Sequence, residues 1–536
     1  MLKINGLSLP LNADEETLNH KICELLSVPP SAVLEVQLVH CSVDARRKKG
    51  LHLVCTVNVS LEDEQKVLLH MAGNNNISKV KETPYVFPSV ERSFDSPPVV
   101  VGMGPAGLFA ALYLARSGIP SIVLERGKPV EERAVDVNRF WDQGILDPTS
   151  NVQFGEGGAG TFSDGKLTTG THDPRIRTVL DTFVEFGAPA DVAYSHKPHI
   201  GTDILRQVVK NIREELLRLG CSIRFQHQLV GLIQENGHLT GAEVQSPLGR
   251  YTIPCTDLIL APGHSARDTF RMLQQSGLPM EQKNFAIGVR VEHHQEDISR
   301  TQFGDAWKIL PPADYKLSCH LSSGRSVFTF CVCPGGQVIA SASQPGMLVT
   351  NGMSYRSRDG ENINGGLLVN VGPADFPDQD PLAGMRFQEH WEKAAFQLGG
   401  SSYHAPVQRV GDFLNRKSSH GSGNIQPTYR PGITWTDLAG CLPDYVSGAL
   451  REALPIFDRK VHGFAHPDAV LTGIESRSSS PVRILRDENG QSALSGVYPC
   501  GEGCGYAGGI MSAAVDGVRT AEQVVRKNNQ PDSGKH

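Results

Sequence analysis

The sequence predicts an α/β protein built around a parallel sheet, and three observations lead to this prediction. Residues 97–126 read as a buried strand, a glycine-rich turn, an apolar helix and a second strand that ends in an acid. Residues 256–263 read as another buried strand that ends in a small-residue turn. Residues 495–525 read as a strand, a second glycine-rich turn and a long helix. Strands connected through helices are typical of parallel sheets.

The first glycine turn has the spacing G-x-G-x-x-G at Gly102, Gly104 and Gly107. In a dinucleotide-binding βαβ unit, the first glycine permits the tight turn and the second lets the backbone approach a pyrophosphate. The third allows close packing of helix on strand. Pro105 and Ala106 open the helix, whose first N–H groups and dipole favour phosphate. The alternative is an ordinary glycine-rich loop of an α/β protein, but strand, helix and second strand all agree with the motif.

Glu125 closes the second strand, where a carboxylate accepts hydrogen bonds from a ribose. A carboxylate at this position repels a 2′-phosphate, so the unit favours FAD or NAD over NADP. Arg126 follows it and is assigned to the same cofactor site.

Later segments favour FAD over NAD alone. Glu502 follows a strand and a glycine, where a carboxylate can hold the ribityl hydroxyls. The next helix offers its N-terminal N–H groups to the flavin pyrimidine oxygen, where negative charge accumulates on reduction. An NAD-only domain needs neither feature. The cofactor residues assigned to this turn are Gly501, Glu502, Gly508, Gly509, Ile510 and Met511.

Three further segments are assigned to the same cofactor. The turn at Ala261, Pro262 and Gly263 is expected to lie beside it, and the backbone of Val230 to read the adenine. The loop GEGGAGTFSDGKL allows close contact with a flat ring, and its assigned residues are Gly158, Gly160 and Thr161. In the same loop, Lys166 can supply positive charge to reduced flavin, or it is a surface lysine.

Other chemistry-bearing side chains are open to two interpretations. Arg477 grips an anionic substrate group or the flavin, or it is a structural ion-pair arginine. A histidine can protonate a substrate carbanion, with candidates in loops at His196, His199 and His264, although hydrogen-bonded loop histidines are expected. His462 and His466 have H-x₃-H spacing but lack a third ligand, so no metal site is predicted.

Composition and charge limit the partners and the cellular location that we expect for this chain. The net charge of −6 does not indicate nucleic acid as the main partner, and no apolar run is long enough to span a bilayer. The N-terminus shows no secretory leader, and the eleven cysteines show no disulfide framework, so a cytoplasmic protein is expected. The C-x-C at Cys331 and Cys333 and the C-x₃-C at Cys500 and Cys504 are expected to pack as small buried residues.

The quoted segments, with FTFCVCPGG and GIESRSSSPVRI, resemble a family of uncharacterised bacterial FAD-dependent dehydrogenases that has plastid relatives. That family is distantly similar to geranylgeranyl reductases and electron-transfer-flavoprotein dehydrogenases. The resemblance covers nearly the whole chain and implies bound FAD in a glutathione-reductase-like fold. Related flavin hydroxylases have Asp-Gly where this chain has Pro262–Gly263, which weakens a monooxygenase interpretation.

We predict four segments along the chain. Residues 1–92 form a small βαββ, ferredoxin-like domain with a connector, and residues 93–275 form the first part of the FAD-binding Rossmann domain. Residues 276–475 form an inserted mixed α+β substrate or cap domain, and residues 476–530 return to the FAD-binding domain.

The predicted activity is an FAD-dependent oxidoreductase that moves hydride through flavin N5 to or from a largely apolar small molecule. No second βαβ unit with the glycine motif is found, so NAD(P)H, if it is the electron donor, must bind elsewhere, or a donor protein serves. Two alternatives stay open: a flavin monooxygenase, and a non-catalytic or RNA-associated flavoprotein that docks through residues 1–92 and the basic turn ARRKKG.

Overall fold

The computed structural model describes residues 1–44, 50–80 and 85–530. These residues form two compact units. The first contains Met1–Val86 and Lys166–His199, and the second contains Phe87–Gly165 and the chain from Ile200 onward. The basic turn proposed for docking, residues 45–49, lies outside the described residues.

Strands and helices are interspersed along the whole chain. The strands are β1 (Leu2–Leu9), β2 (Val33–Asp44), β3 (His52–Leu61), β4 (Ile77–Lys79), β5 (Val99–Val101), β6 (Ile122–Glu125), β7 (Ser222–Phe225), β8 (Gln228–Glu235), β9 (His238–Ser246), β10 (Gly249–Pro254), β11 (Leu258–Leu260), β12 (Met280–Gln282), β13 (Phe285–His294), β14 (Ser318–His320), β15 (Ser326–Cys333), β16 (Gln337–Ala340), β17 (Thr350–Met353), β18 (Asn362–Val371), β19 (Ala405–Arg409), β20 (Ile433–Trp435), β21 (Val470–Glu475), β22 (Val482–Ile484) and β23 (Val497–Pro499). The α-helices are α1 (Glu15–Leu26), α2 (Glu64–His70), α3 (Pro105–Arg116), α4 (Val130–Gln143), α5 (Arg175–Glu185), α6 (Thr202–Arg218), α7 (Arg267–Gln275), α8 (Gln295–Phe303), α9 (Ala383–Leu398), α10 (Val410–Leu414), α11 (Asp444–Lys460) and α12 (Ile510–Asn529). Short 3₁₀ helices occur at Pro30–Ala32, Ala159–Phe162, Ala190–Ala193, Gly304–Lys308, Pro373–Asp375 and Leu438–Cys441.

The first unit contains a four-stranded antiparallel sheet in the order β2-β3-β1-β4. The predicted βαββ arrangement therefore continues through α2 and β4 to βαββαβ, which is the ferredoxin-like pattern. Both added elements are short and lie in polar sequence, so they carry little periodicity. Apolar side chains of the strands and of α1, such as Ile4, Val57 and Ile22, form its core.

Residues 166–199 belong to the first unit, although the sequence assigned them to the FAD-binding domain. Their contact with the ferredoxin-like sheet is made along β2. The N–H of Cys41 donates to the carbonyl of Tyr194 at 2.8 Å, and the N–H of His196 donates to the carbonyl of Cys41 at 3.0 Å. A pairing between such distant segments leaves no local signal in the sequence.

The second unit contains the predicted parallel sheet, in the order β23-β11-β5-β6-β7. The predicted strands at 256–263 and 496–500 are confirmed as β11 and β23, and both pair in parallel. An antiparallel meander of β8, β9 and β10 follows β7. The helices α3 and α12 pack closely, because a Cβ at Gly517 would come within 2.1 Å of the Ala106 carbonyl oxygen.

A seven-stranded mixed sheet, in the order β14-β15-β18-β13-β21-β19-β20, forms most of the predicted cap region. Its apolar residues pack with those of α9, α10 and α11 in the largest core of the protein. After β21 of this sheet, the chain continues through β22 to β23 of the parallel sheet. Among the described residues, no helix is long and apolar enough to cross a membrane.

Candidate functional site

Three turns assigned to the cofactor leave one edge of the parallel sheet. They follow β5, β11 and β23, which are adjacent in the sheet. Val101, Leu260 and Pro499 are partners across these strands, so the strands end level with one another. Ligands of open parallel sheets bind at this carboxyl edge. The fold therefore gathers the glycine turn, the 261–263 turn and the Glu502 turn in one place.

The glycine turn after β5 cannot accommodate side chains at its first and third glycines. Gly102 has φ +95°, and a Cβ there would lie 2.1 Å from the carbonyl oxygen of Ala261. A Cβ at Gly107 would lie 1.9 Å from the carbonyl oxygen of Gly102. These two glycines are thus required by packing within the protein itself.

Gly104 differs, because no protein atom requires it. A Cβ there would meet only the Cα of Gly158, at an ordinary 3.8 Å. Gly104 is the N-cap of α3, and Pro105 takes the first helical position. The space at Gly104 is thus available for a phosphate against the helix N-terminus.

The loop with Gly158 and Gly160 lies between the two cofactor helices. A Cβ at Gly158 would come within 2.9 Å of the Cα of Gly104. A Cβ at Gly160 would come within 2.9 Å of the Ile510 side chain, at the start of α12. Thr161 is fully buried and its carbonyl accepts from the Thr202 hydroxyl at 2.7 Å, so it anchors the loop.

Arg133 fixes the conformation of this loop through hydrogen bonds, and no sequence pattern predicts this role. Its guanidinium donates to four backbone carbonyls at 2.6–2.9 Å and is fully buried. Those carbonyls belong to Asn151, Val152, Glu156 and Gly158. Since only a guanidinium presents five donors in a rigid plane, this residue fixes the shape of the loop.

Glu125 lies at the end of β6, as predicted, and is buried. Its carboxylate accepts N–H groups from Met103 at 2.9 Å, Gly127 at 2.8 Å and Gly155 at 3.0 Å. A carboxylate has about four acceptor positions, so one is left for a ribose hydroxyl. The same side chain thereby joins the glycine turn to the 155–160 loop.

Arg126 lies near the strand that carries Val230, because Asp268 contacts both Arg126 and Gln228 of β8. The Arg126–Asp268 ion pair measures 3.0 Å, and the guanidinium lies 4.4 Å from the centre of the Phe154 ring. Val230 falls at a β-bulge of β8, where the pairing with β9 shifts register. A bulge leaves one residue outside the ladder, which suits the predicted use of its backbone by an adenine.

The Glu502 turn packs on both other turns. A Cβ at Gly501 would come within 2.6 Å of the Ala106 Cβ, and a Cβ at Gly503 within 2.4 Å of the Gly263 carbonyl oxygen. The N–H of Gly501 donates to Asp516 at 2.8 Å, and Asp516 pairs with Arg486 at 2.7 Å. These contacts fix the turn before any cofactor enters.

Burial raises the pKa of the Glu502 carboxyl to about 7, and the nearby Lys283 ammonium opposes that rise. Lys283 itself donates to the Ser479 hydroxyl at 2.8 Å. A hydrogen bond from the Gly509 N–H also opposes the rise, and further donors such as sugar hydroxyls would act in the same direction, because they stabilise the charged form.

The N-terminus of α12 is open. Gly508 and Gly509 are exposed, and a Cβ at either would meet no atom within 4 Å. Gly509 caps the helix with φ 143°, while Ile510 and Met511 are buried behind it. The first N–H groups of a helix have no partner within it, so this end can receive a polar ring edge.

Arg477 lies in a buried ion-pair network. Its guanidinium contacts Glu392 at 2.8 Å and donates to the hydroxyls of Ser265 and Ser343 at 2.9 and 2.6 Å. Arg267 contacts the same Glu392 carboxylate at 2.8 Å. These contacts are those of a structural ion-pair arginine, and a contact of Arg477 with substrate or flavin stays a prediction.

The remaining candidates are divided between the two units, with Lys166, His196 and His199 in the first and His264 in the second. Lys166 belongs to the first unit, where it forms a β-bridge with His199, and its flavin role stays a prediction. In the same unit, His196 contacts the His40 ring at 3.1 Å. Burial, with Arg477 and Arg267, lowers the pKa of His264 to about 3, so it is neutral at physiological pH. Among the described residues, no cluster of three or more potential ligands forms a metal site, and His462 is 93% exposed.

The residues at the sheet edge fit FAD. At the glycines that pack against other protein atoms, an added Cβ would clash. Gly104, Gly508 and Gly509 instead leave open space where a phosphate and a flavin ring edge are expected. Glu125 keeps one acceptor position near the phosphate space at Gly104, and Glu502 lies near the flavin space at Gly508 and Gly509. Two acids and two helix N-termini are thus spaced along one edge.

Family models match three parts of the chain. A model described as FAD binding domain matches residues 95–270, and one described as FAD-dependent protein, C-terminal domain-like matches residues 284–478. A domain of unknown function matches residues 1–60. An uncharacterised protein of Clostridium beijerinckii is 46% identical over 536 residues, which is 99% of each chain.

Solved structures resemble the chain more distantly. The FrdA chain of E. coli quinol fumarate reductase is 11% identical, with a TM-score of 0.38, over 83% of this chain and 72% of that one. A flavin-dependent brominase is 12% identical, with a TM-score of 0.37, over 82% and 81%. A geranylgeranyl bacteriochlorophyll reductase-like protein of Thermoplasma acidophilum is 11% identical, with a TM-score of 0.34, over 80% and 79%. At these TM-scores none of the three bears on the substrate.

Proposed function

The chain belongs to an uncharacterised family of FAD-dependent proteins and is an FAD-dependent oxidoreductase, and from this premise we propose that it transfers hydride to or from a largely apolar organic substrate. FAD supplies the hydride chemistry through its N5 position. The observation that supports the proposal is the convergence of the glycine turn, the 155–160 loop and the Glu502 turn at one sheet edge.

Each turn has a separate task in this proposal. The backbone at Gly104 and the N-terminus of α3 bind the pyrophosphate, and Glu125 binds the adenosine ribose. Glu502 accepts hydrogen bonds from the ribityl chain. The N-terminus of α12 then stabilises the negative charge that develops on the flavin pyrimidine when electrons arrive. The protein thus tunes the cofactor and needs no side-chain nucleophile.

We propose that the substrate binds beside the seven-stranded sheet region. An apolar substrate is proposed because the quoted segments resemble a family that is distantly similar to geranylgeranyl reductases. Reduction of a carbon–carbon double bond, or the reverse dehydrogenation, is the reaction class we propose.

We propose NADH or NADPH as the electron donor, bound outside a glycine-motif βαβ unit. The test is an anaerobic titration of the purified, FAD-loaded chain with each nucleotide, followed through the visible absorbance of oxidised flavin. We expect one of them to bleach that absorbance stoichiometrically.

Three other results would change the proposal in different ways. A chain that is colourless and cannot be reconstituted with FAD would end it. Bleaching by dithionite but by neither nucleotide would replace the nicotinamide donor with a donor protein. A hydroxylated product that forms only with oxygen would replace hydride transfer with monooxygenation.

A further inference from the structure

The C-x-C sequence of Cys331 and Cys333 lies at an irregular end of β15. Phe330 pairs with Gly366 and Cys333 pairs with Asn364, so β15 has one more residue than β18 across this interval. Cys331 has φ +43°, a left-handed backbone conformation that residues other than glycine rarely adopt. Such a conformation persists only where the surroundings enforce it, and it concentrates at functional sites.

The bulge brings the two cysteines together. In a regular strand, residues i and i+2 are separated by about 6.6 Å, too far for the Cβ spacing of about 3.8 Å that a disulfide requires. In this bulge the thiol of Cys333 turns back and donates to the carbonyl oxygen of Cys331 at 3.3 Å. The Cys331 thiol also hydrogen bonds with that of Cys333, and this contact with burial raises the pKa of Cys333 well above its usual value.

Arg290 fixes this pair from the neighbouring strands. Its guanidinium is fully buried and donates to the Cys331 carbonyl oxygen at 2.6 Å, with the Cys333 sulfur at 3.8 Å. Glu475, at 2.9 Å, keeps the guanidinium in place. This buried cation opposes the rise in the pKa of the Cys333 thiol, and so acts in favour of the thiolate that disulfide exchange requires.

The two cysteines differ in exposure. Cys331 is half-buried, whereas Cys333 has no exposed surface. This asymmetry separates an accessible thiol, able to react, from an enclosed partner that resolves the bond. Arg290 contacts both the Cys331 carbonyl and Glu475, and five residues after Glu475 the Ser480 hydroxyl donates to the carbonyl oxygen of Gly503 at 2.8 Å, so one short segment connects the pair with the Glu502 turn.

We propose that Cys331 and Cys333 form a redox-active dithiol and disulfide pair that exchanges two electrons with bound FAD. In one direction, reduced FAD gives up two electrons and two protons, the S–S bond breaks, and two thiols form. In the other direction, the thiols lose the same electrons and protons to oxidised FAD as the S–S bond forms. The pair would give the enzyme a second two-electron store beside the flavin.

The proposal is tested on the wild-type, FAD-loaded chain by anaerobic reductive titration with dithionite after mild oxidation. We expect the chain to take up four electrons for each FAD, and a Cys331→Ser, Cys333→Ser double variant to take up two. Cys319→Ser, a half-buried cysteine of the same sheet, is the matched control and should still take up four.

A mass measurement identifies the bond without relying on any variant. Trypsin releases residues 326–356 as one peptide, which contains no cysteine besides Cys331 and Cys333. We expect this peptide from the oxidised chain to be lighter by two hydrogens and to resist alkylation until it is reduced.

Uptake of only two electrons by the wild type, with an alkylated peptide, would overturn the proposal. So would uptake of four electrons by the double variant, because that would assign the second store to another pair, such as Cys41 and Cys55, which face each other across β2 and β3. Either result leaves flavin reduction by substrate or NAD(P)H unaffected, so the proposed function is judged separately.

Discussion

Gly501 lies directly against Ala106, so close that a Cβ on Gly501 would come within 2.6 Å of the Ala106 Cβ. One residue belongs to the first glycine turn and the other to the C-terminal turn, and the two are far apart in sequence. Their contact joins the pyrophosphate end and the flavin end of the proposed site.

Gly501→Ala is expected to destabilise the flavin-free chain through this contact. Gly501 has φ +76°, so an alanine there also carries backbone strain. Gly277→Ala is a matched control, because Gly277 has φ +79° with no atom within 4 Å of its Cβ position. Overpacking costs about 1–3 kcal/mol, and the free energy of unfolding should differ by that amount between the two variants. Equal values in chemical denaturation would show that the junction tolerates a methyl group.

Gly104→Ala is expected to lose FAD without losing the fold. A Cβ there meets protein only at 3.8 Å, but it occupies the space proposed for the pyrophosphate. FAD affinity should fall at least tenfold, or about 1.4 kcal/mol, in a fluorescence titration of the flavin-free chain. Gly448→Ala, on an exposed position of α11 with nothing within 4 Å, should keep wild-type affinity. Normal FAD binding by Gly104→Ala would remove the pyrophosphate from this turn.

Glu502→Gln is expected to stabilise the flavin-free chain at neutral and higher pH. The same substitution is expected to weaken FAD binding. Folding raises the pKa of this carboxyl from 4.5 to about 7, so the folded state holds its proton more tightly than the unfolded state. Stability of the wild type therefore falls as pH rises from 4.5 to about 7, and the neutral glutamine avoids this loss.

Thermal unfolding at several pH values measures the effect. The advantage of Glu502→Gln should vanish near pH 4.5 and be complete above about pH 7. Glu488→Gln, on an exposed turn, should change neither stability nor FAD affinity. A Glu502→Gln chain that binds FAD as tightly as the wild type would separate Glu502 from the ribityl site.

Glu392→Gln is expected to destabilise the fold strongly, because it leaves the buried guanidiniums of Arg267 and Arg477 without their shared counter-ion. Removal of one partner from a buried ion pair costs about 3–5 kcal/mol. Glu389→Gln, one turn away on α9 with a more exposed carboxylate, should cost less than about 1 kcal/mol. Similar unfolding free energies for the two variants would mean that Arg477 has another role.

The cofactor turns could be predicted from the sequence because their requirements are local. A side chain at Gly102 or Gly107 would clash with backbone atoms a few residues away or next to the adjacent strand. This requirement is visible in the sequence as the spacing of the glycines. The strand, turn and helix around Glu502 were predictable for the same reason. The ferredoxin-like unit was predicted incompletely, since β4 has three residues and no apolar pattern.

Partners that are distant in sequence could not be predicted. Arg133 gives no pattern, because it binds backbone carbonyls in a loop that any sequence could supply. The sequence left two interpretations of Arg477 open, because its ion-pair partner Glu392 lies 85 residues earlier on a helix of the cap region. Neither that pairing nor the burial of the guanidinium leaves a local signal in the sequence.

We propose that the Gly104 turn and the Glu502 turn hold one FAD between them. A crystal structure of the FAD-loaded chain would show whether they do. We expect electron density for one FAD per chain, with the pyrophosphate at the N–H groups of α3 and the ribityl chain at the Glu502 carboxylate. Density for FAD elsewhere, or a pyrophosphate away from Gly104, would contradict this claim.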